Sequence, residues 1–374
     1  NNYNMGINSV FEKKERLVSL DFFRGAAILL MILANNVGSE GYSFLRHAAW
    51  NGWTLADTVF PFFIWIIGVA IVFSFTKRIS KGHTKKSLFS HVLKRSAIIL
   101  ALGLFLNLFP YFNFSAFRIS GVLQLIAVTY FCASMIFIYT KPKWHVILTV
   151  LLLLSSGLLL KFAPVPNYGS GILEPGKNFA HNIDSMFLKG HMWEQTETWD
   201  PEGIFSIFSA ISTMLLGIIT GHLLIGKKNN VQKTKLVLLS GIVLVIIGYI
   251  INIWVPINKS LWTSSFSLFM SGLASVIFAV SYWVIDVKKC KKWSFPFVIC
   301  GLNAITLYLF SGIISKLLFI IHINEDTLYT FINHFLYLQI ATPKNASLLF
   351  ALTNVLLIYL VAYFMYKKKI FIKI

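Results

Sequence analysis

The feature that most constrains this chain is a series of apolar runs, each suited to crossing a lipid bilayer. A helix rises about 1.5 Å per residue, so about 20 apolar residues cross a hydrocarbon core about 30 Å thick. Ten such runs lie at residues 17–37, 55–76, 96–110, 119–140, 144–162, 204–226, 236–255, 262–285, 294–320 and 347–366. We therefore predict an all-α, polytopic membrane protein with about ten transmembrane helices. The apolar stretch at residues 328–340 leaves an eleventh open.

The composition agrees with a membrane protein and disagrees with a soluble one. Hydrophobic residues make up 56% of the 374 residues, charged residues make up 13%, and the mean hydropathy is +0.71. The spans follow one another without a domain-sized polar linker, so we predict one transmembrane domain over residues 1–374, with core motifs at 16–311 and an outer loop at 163–203. The three cysteines have no paired spacing, and we expect neither disulfides nor a metal.

The lysines and arginines are divided unequally between the two sides of the predicted membrane. Segments on the side of the N-terminus hold 24 of the 33, and the opposite segments hold seven. Because positive residues concentrate in cytoplasmic loops, we predict that both termini are cytoplasmic and that the loop after the first span faces outward. The net charge of +19 is thus a topology signal, and we expect no nucleic-acid partner.

The acidic residues concentrate on the other side. Ten of the 14 fall on the predicted outer side, most of them in the loop at 163–203, and a net acidic surface favours a cationic ligand such as an amine. Loops of this length are usually functional or disordered. Six ring-bearing side chains suggest a packed lid that stacks on a sugar, with a solvent-exposed spacer as the alternative. They are Tyr168, Phe179, His181, Phe187, His191 and Trp193.

Nine sequence phrases, in order along the chain, resemble those of the heparan-α-glucosaminide N-acetyltransferase family and its bacterial relatives. They are SLDFFRG, MILANN, HAAWNGWTLADTVFPFF, GVAI, RISGVLQLIAVTY, NIDSMFLKGHMW, DPEGIFS, NKSLWTSSFSLFMSGLAS and GLNAITLYLFS. The resemblance implies a multi-spanning enzyme that takes acetyl from cytosolic acetyl-CoA and passes it to an amino sugar across the membrane. It also implies that His47, in the HxxWNG phrase, is the catalytic histidine.

The residues around His47 are consistent with this chemistry. His47 lies in the loop between the first two spans, Asn35 and Asn36 end the first span, and Asp57 begins the second. Histidine exchanges a proton near neutral pH, so His47 suits general-base catalysis on an attacking amine. Attack by His47 itself, which would give an acetyl-imidazole, is one alternative, and a loop histidine bonded only to backbone is another.

The neighbours of His47 have structural interpretations as well. Asp57 forms a T-x-x-D capping box with Thr54, and a capping carboxylate can also orient His47 or hold an ammonium group. One of Asn35 and Asn36 caps the first span, while the other can donate to a thioester oxygen that becomes an oxyanion. We favour Asn36 for the oxyanion.

Polar residues inside the spans must find partners within the bundle. Arg24 follows Asp21 by three residues, which allows an intrahelical pair or a contact with a CoA phosphate. Gln124 and Asn303 either bond to other helices or line a tunnel for the pantetheine arm of CoA. Asp200, which precedes a proline, predicts the N-cap of the sixth span.

Together these observations predict an N-acetyltransferase acting on a glucosamine-type sugar, with His47, Asn36 and Asp57 in catalysis. We expect sugar contacts from Asn35, Trp50, His191, Trp193 and Asp200, and acetyl-CoA contacts from Arg24, Gln124 and Asn303. Direct transfer in a ternary complex is favoured, because an acetyl-imidazole on the wet side of the membrane would be hydrolysed unless the outer loop excludes water.

The expected surroundings are a lipid bilayer, and a homodimer is left open. We expect a bacterial inner (plasma) membrane, because the chain shows no counterpart of the additional luminal domain of the animal enzymes. One rival function is a secondary transporter of a sugar or cationic solute, for which Lys316 is the only candidate charge near the middle of a span. The other is an O-acetyltransferase of a cell-wall polysaccharide.

The orientation can be tested by cysteine labelling of intact cells. A cysteine at Ser43 should react with a membrane-impermeant thiol reagent, and a cysteine at Thr84 should not, because the basic residues place the second loop inside. The protein with only its native cysteines gives the background. The reversed pattern would contradict both the orientation and a transfer from cytosol to exterior.

Overall fold

A computed structural model describes residues 17–372 and shows a helical bundle. Lys13, Lys14, Arg16 and Lys373, counted above in the orientation, lie outside the described residues. The helices are α1 (Val18–Asn35), α2 (Leu55–Ser80), α3 (Lys85–Leu108), α4 (Val122–Tyr139), α5 (Pro142–Phe162), α6 (Phe179–Phe187), α7 (Ser206–Ile225), α8 (Asn230–Ile251), α9 (Ser264–Tyr282), α10 (Phe295–Leu302), α11 (Ala304–Ile320), α12 (Leu328–Ile332) and α13 (Pro343–Lys367). Short 3₁₀ or π turns occur at Ser43–Leu45, Trp283–Val287, Lys292–Ser294 and Asn333–Tyr337.

The strands are minimal. Two antiparallel hairpins, β1 (Pro164–Val165) with β2 (Gly169–Ser170) and β3 (His322–Ile323) with β4 (Asp326–Thr327), are the sheets found in residues 17–372. The all-α class is confirmed.

Within the described part of the chain, nine helices are long and apolar enough to cross a membrane, and the count is ten if the bent pair α10–α11 is one span. The prediction of about ten spans is confirmed. The run at 294–320 is not one straight helix, since α10 and α11 meet at an angle of 72° around Asn303. The stretch at 328–340 is not an eleventh span, because it forms only α12 and a π turn.

Helix α2 is the most deeply buried of the candidate membrane-spanning helices. Of its most apolar window, 83% is buried, against 72% for α7 and 22% for α8. Helices α2 and α7 approach closely at two glycines: a Cβ on Gly68 would lie 2.0 Å from the Met214 carbonyl oxygen, and one on Gly217 would lie 2.0 Å from that of Trp65. Small residues at a helix crossing let the backbones touch, as is usual in membrane bundles.

A buried carboxylate and a half-buried ammonium group form hydrogen bonds with the backbone at helix ends. The Asp286 carboxylate accepts the backbone N–H groups of Val18 and Ser19, at 3.2 and 3.0 Å, and so caps the start of α1. The Lys316 ammonium donates to the carbonyl oxygens of Leu106 and Phe109, both at 2.6 Å, where α3 ends. Lys316 therefore neutralises a helix C-terminus, which is the physical reason that its charge is tolerated within a span.

Candidate active site

His47 and Asp57 form a hydrogen-bonded pair at the start of α2. The imidazole Nδ1 lies 2.7 Å from Asp57 Oδ1, and the Asp57 side chain is 1% exposed whereas the His47 side chain is 51% exposed. A carboxylate accepts at this distance, so Nδ1 carries the hydrogen, and in the neutral form of the ring Nε2 has the lone pair. The pair thus presents an oriented imidazole at the open side of a buried acid.

The sequence places Asp57 there by helix capping. The predicted capping box with Thr54 is confirmed: Asp57 Oδ2 accepts the Thr54 backbone N–H at 3.0 Å. The same oxygen accepts the Ala48 N–H at 3.0 Å, which fixes the backbone beside His47. A buried carboxylate is costly unless it is hydrogen-bonded, and these donors meet that requirement.

Lys259 joins the pair from the loop between α8 and α9. Its Nζ lies 3.1 Å from His47 Nδ1, 3.3 Å from Nε2 and 3.6 Å from Asp57 Oδ1. The preceding Asn258 is fully buried, and its amide donates to Asn51 Oδ1 at 3.2 Å. Our sequence analysis missed both residues. It counted Lys259 only as an outer charge, although the phrase NKSLWTSS that begins at Asn258 carried a signal.

The outer loop at 163–203 folds over this end of the bundle. The Trp50 indole N–H donates to the Leu173 carbonyl oxygen at 2.9 Å, and the Trp50 ring meets His181 and Trp199 edge to face. His181 and Trp199 stack with ring centroids 4.4 Å apart. The loop therefore packs on the site through aromatic contacts.

Arg118, Asp200 and Glu202 form an ion-paired cluster beside that loop. Arg118 Nε donates to Asp200 Oδ2 at 2.7 Å, Nη2 lies 2.5 Å from a Glu202 oxygen, and the guanidinium lies 5.7 Å from the centroid of Trp193. The prediction that Asp200 caps the sixth span is wrong, because α7 begins at Ser206. The Asp200 carboxylate instead accepts hydrogen bonds from Arg118 and from the backbone N–H of Glu202. The expected sugar contacts of Asp200 and Trp193 stay predictions.

The remaining residues predicted at this end lie in different settings. His191 Nδ1 donates to the Phe117 carbonyl oxygen at 2.9 Å, which connects the loop to the segment between α3 and α4. The Asn36 amide donates to the Ile32 carbonyl oxygen at 2.8 Å, and its oxygen accepts from Ser315 at 3.4 Å. Asn35 is exposed at the end of α1. None of these contacts reaches His47, so the roles assigned to the three residues stay predictions.

A basic cavity of about 370 Å³ opens at the opposite end of α2. Arg24, Arg78, His91 and Arg95 contribute its cationic and titratable side chains, and Asn303 lies in its wall. Residues 57 and 78 are 21 positions apart, which corresponds to about 30 Å along a helix. We had counted Arg78 and Arg95 only as topology signals, so their place in a cavity is a second feature that the sequence analysis missed.

The three residues predicted to bind CoA are placed differently from one another. The Arg24 Nη1 donates to the Gly301 carbonyl oxygen at 3.4 Å in the cavity wall. Asn303 uses its amide on the Ile370 carbonyl oxygen (3.0 Å) and its oxygen on the Ile372 N–H (2.9 Å), and so holds the C-terminal segment against the cavity. Gln124 is not among the residues that line the cavity, and it packs on Gly103, where a Cβ would lie 2.5 Å from Oε1.

A second, apolar cavity extends from the basic one toward His47. Phe63, Ile126 and Ile305 line both, and Phe60, one helical turn from Asp57, lines the apolar one. Its volume of about 10 Å³ holds at most one water molecule. The space next to the basic cavity, on the side of Phe60, is therefore lined by apolar side chains and is narrow in this conformation.

Burial and neighbouring charges shift the pKa values of three groups in and near the outer loop. Burial lowers the pKa of His181 to about 3, so its ring is neutral, in agreement with the Gly176 N–H that its Nδ1 accepts at 2.7 Å. Burial also raises the pKa of Asp184 to about 7, with help from the charge of Asp200 and against the backbone N–H of Ile204. For Arg118, burial acts to lower the pKa, but the paired carboxylates raise it overall.

Comparison with known proteins identifies relatives over most of the chain. A family model described as heparan-alpha-glucosaminide N-acetyltransferase, catalytic, matches residues 16–249. The mouse heparan-alpha-glucosaminide N-acetyltransferase is 28% identical over 416 residues, covering 96% of this chain and 60% of its own. The human protein of that name is 30% identical over 350 residues, covering 78% of this chain and 52% of its own. The chain thus spans between half and three fifths of the length of these relatives.

The protonation of Asp184 predicts a pH-dependent stability. Between pH of about 4 and about 7, the folded protein holds a proton that the unfolded chain has released, so the free energy of unfolding falls as the pH rises. The side chain of Asp184→Asn cannot titrate, so the variant should not lose this stability as the pH rises. The thermal unfolding midpoint of the variant, minus that of the wild type, should therefore increase between pH 4.5 and pH 7.5. The exposed Glu194→Gln should show no such trend, and a flat difference for Asp184→Asn would contradict the prediction.

Proposed function

The chain belongs to the heparan-alpha-glucosaminide N-acetyltransferase family, and from that premise we propose that it transfers acetyl from acetyl-CoA to the amino group of a glucosamine-type sugar across a membrane. One observation carries the proposal. The hydrogen-bonded pair of His47 and Asp57 and a cavity with three arginines lie at opposite ends of the same buried helix, and a narrow apolar cavity adjoins the basic one. A reaction between substrates on two sides of a membrane needs this arrangement.

The basic cavity suits the nucleotide part of acetyl-CoA. CoA carries phosphate groups, which arginine guanidinium groups bind through charge-assisted hydrogen bonds. Arg95 Nε is buried and has no hydrogen-bond partner among the described residues, and the guanidinium lies 4.8 Å from the Tyr130 ring centroid. A buried donor without an acceptor destabilises the protein. A phosphate oxygen at this position would accept a hydrogen bond from Nε and remove that unfavourable contribution.

The apolar cavity suits the pantetheine arm. The arm must carry the thioester from the basic cavity toward His47, and it would displace no charged group, since the lining of the narrow cavity is apolar apart from the hydroxyl of Tyr308. The cavity is too narrow for the arm as it stands. Rotation of Phe60 and Phe63 would have to accompany donor binding.

At the outer end, His47 would act as the general base. Its Nδ1 hydrogen is held by Asp57, so Nε2 is the ring nitrogen that can take the proton of the amine as the amine attacks the thioester. Half of the His47 side chain is exposed to solvent, and an acetyl-imidazole formed there would be open to hydrolysis. We therefore favour direct transfer within a ternary complex over a covalent intermediate.

The sugar would bind between His47 and the outer loop. Aromatic faces such as that of Trp193 stack on sugar rings, and the surrounding outer segments are net acidic, which favours an amine. Both reacting ends lie in one bundle, which supports a single domain. A cytosolic basic cavity follows from the predicted orientation. That orientation and a bacterial inner membrane stay predictions, as does the possible homodimer.

The proposed function can be tested with purified protein, labelled acetyl-CoA and a panel of amino sugars. The wild type should form N-acetyl sugar, and His47→Ala should lower turnover by about 10²–10⁴-fold while the protein remains folded. Exposed His322→Ala, remote in sequence, is the matched control and should keep wild-type turnover. Sugar or label that accumulates in vesicles without N-acetylation would favour a transporter, and acetyl found on a hydroxyl would favour O-acetylation.

The donor site can be tested separately by calorimetric titration with CoA. Arg95→Met should weaken CoA binding by about 10–100-fold, because one charge-assisted contact to phosphate is worth about 1.5–3 kcal/mol. Lys94→Met is the matched control, since Lys94 is the exposed neighbour on α3 and should leave the affinity unchanged. Equal affinities in the two variants would place the CoA phosphates elsewhere.

A further inference from the structure

The ammonium of Lys259 is close to both nitrogens of the His47 ring, at 3.1 and 3.3 Å. Because Nδ1 donates its own hydrogen to Asp57, the ammonium can donate only to the lone pair of Nε2. The Lys259 side chain is 19% exposed, so its charge acts in a partly dehydrated setting, where electrostatic interactions are stronger than in water. A positive charge therefore lies beside the atom that would accept the amine proton.

The loop that carries Lys259 is held firmly in place. The Asn258 side-chain oxygen accepts the Leu261 N–H at 2.9 Å, and the Ile257 carbonyl oxygen accepts the Gly52 N–H at 2.7 Å. Trp262 has a φ of +44°, which is unfavourable for a residue with a side chain, and its ring is 1% exposed. Charge stabilisation in catalysis requires donors that are fixed before the reaction, and this loop provides such a base for Lys259.

We propose that Lys259 is a catalytic residue that stabilises the negative oxygen formed when the amine attacks the acetyl group. The inference rests on the proposed function. The amine nitrogen bonds to the carbonyl carbon, the π electrons move to the carbonyl oxygen, and His47 Nε2 takes the amine proton. The electron pair on the oxygen then re-forms the C=O bond of the amide as the C–S bond breaks, the C–S electron pair leaves with sulfur, and the imidazolium returns the proton to the sulfur to give free CoA.

The geometry supports this role for Lys259. An amine that gives its proton to Nε2 lies about 3 Å from it, and the acetyl oxygen is only two bonds from that amine nitrogen. Nζ, itself 3.3 Å from Nε2, is thus within reach of the oxygen. Asn36, which we expected to supply this donor, instead donates to the Ile32 carbonyl oxygen. Lys259 is the cation that the described residues place against His47.

The test is steady-state kinetics on the full-length protein with acetyl-CoA and glucosamine. Lys259→Met should lower kcat by about 10²–10³-fold, the usual effect of removing one oxyanion donor. The KM values should change by less than about threefold, since the contact is made only in the transition state. Lys259→Arg keeps the charge and should recover at least about a tenth of wild-type kcat. Exposed Lys344→Met is the control and should match the wild type.

A further variant separates charge from structure. Lys259→Gln keeps a polar side chain without the charge, and like the methionine variant it should be slower than Lys259→Arg, with an unchanged unfolding midpoint. Wild-type turnover in the methionine or the glutamine variant, or a loss confined to KM, would overturn the inference while leaving the proposed function in place. A wild-type protein that acetylates no amino sugar would instead overturn the proposed function, and this inference with it.

Discussion

The carboxylate of Asp57 is the interaction on which the candidate active site depends. It is buried, and it accepts hydrogen bonds from the His47 ring and from the backbone N–H groups of Ala48 and Thr54. The Asp57 carboxylate therefore caps the start of helix α2, fixes the backbone of the loop before it and orients the His47 ring. Because these tasks share a single group, loss of Asp57 would disturb the backbone and the base together. The same carboxylate also attracts Lys259, so the loop between α8 and α9 is drawn to the same point.

The sequence predicted features that arise from local pattern. Hydropathy alone located the spans, because a segment exposed to lipid must be apolar along its length. The T-x-x-D pattern correctly predicted the cap formed by Thr54 and Asp57, since a capping box lies within one helical turn. The same kind of reasoning failed at Asp200. There a local cap was outweighed by a pairing with Arg118, 82 residues away, which only the tertiary structure brings close.

The missed features are the ones that depend on contacts between distant segments. Lys259 lies 212 residues after His47, and no periodicity or spacing links the two. Arg78 and Arg95 belong to a basic segment, and counting its charges describes the unequal charge distribution. The count does not show that these two side chains line a cavity. The sequence also showed no sign of the bend between α10 and α11 at Asn303, because the apolar run continues through that residue. The bend coincides with hydrogen bonds between the Asn303 side chain and the C-terminal segment.

The membrane explains why the two ends of α2 differ in their chemistry. A charged donor such as CoA cannot dissolve in the bilayer, so its phosphates require a basic site at one face and only its uncharged arm can extend inward. In the reaction that we propose, the acceptor would meet the thioester at the other face, where a proton must be removed and a negative oxygen must be stabilised within a few ångströms. His47, held by the buried Asp57, would meet the first need. The Lys259 ammonium beside His47 would meet the second, and these three residues come from segments that the fold brings into contact.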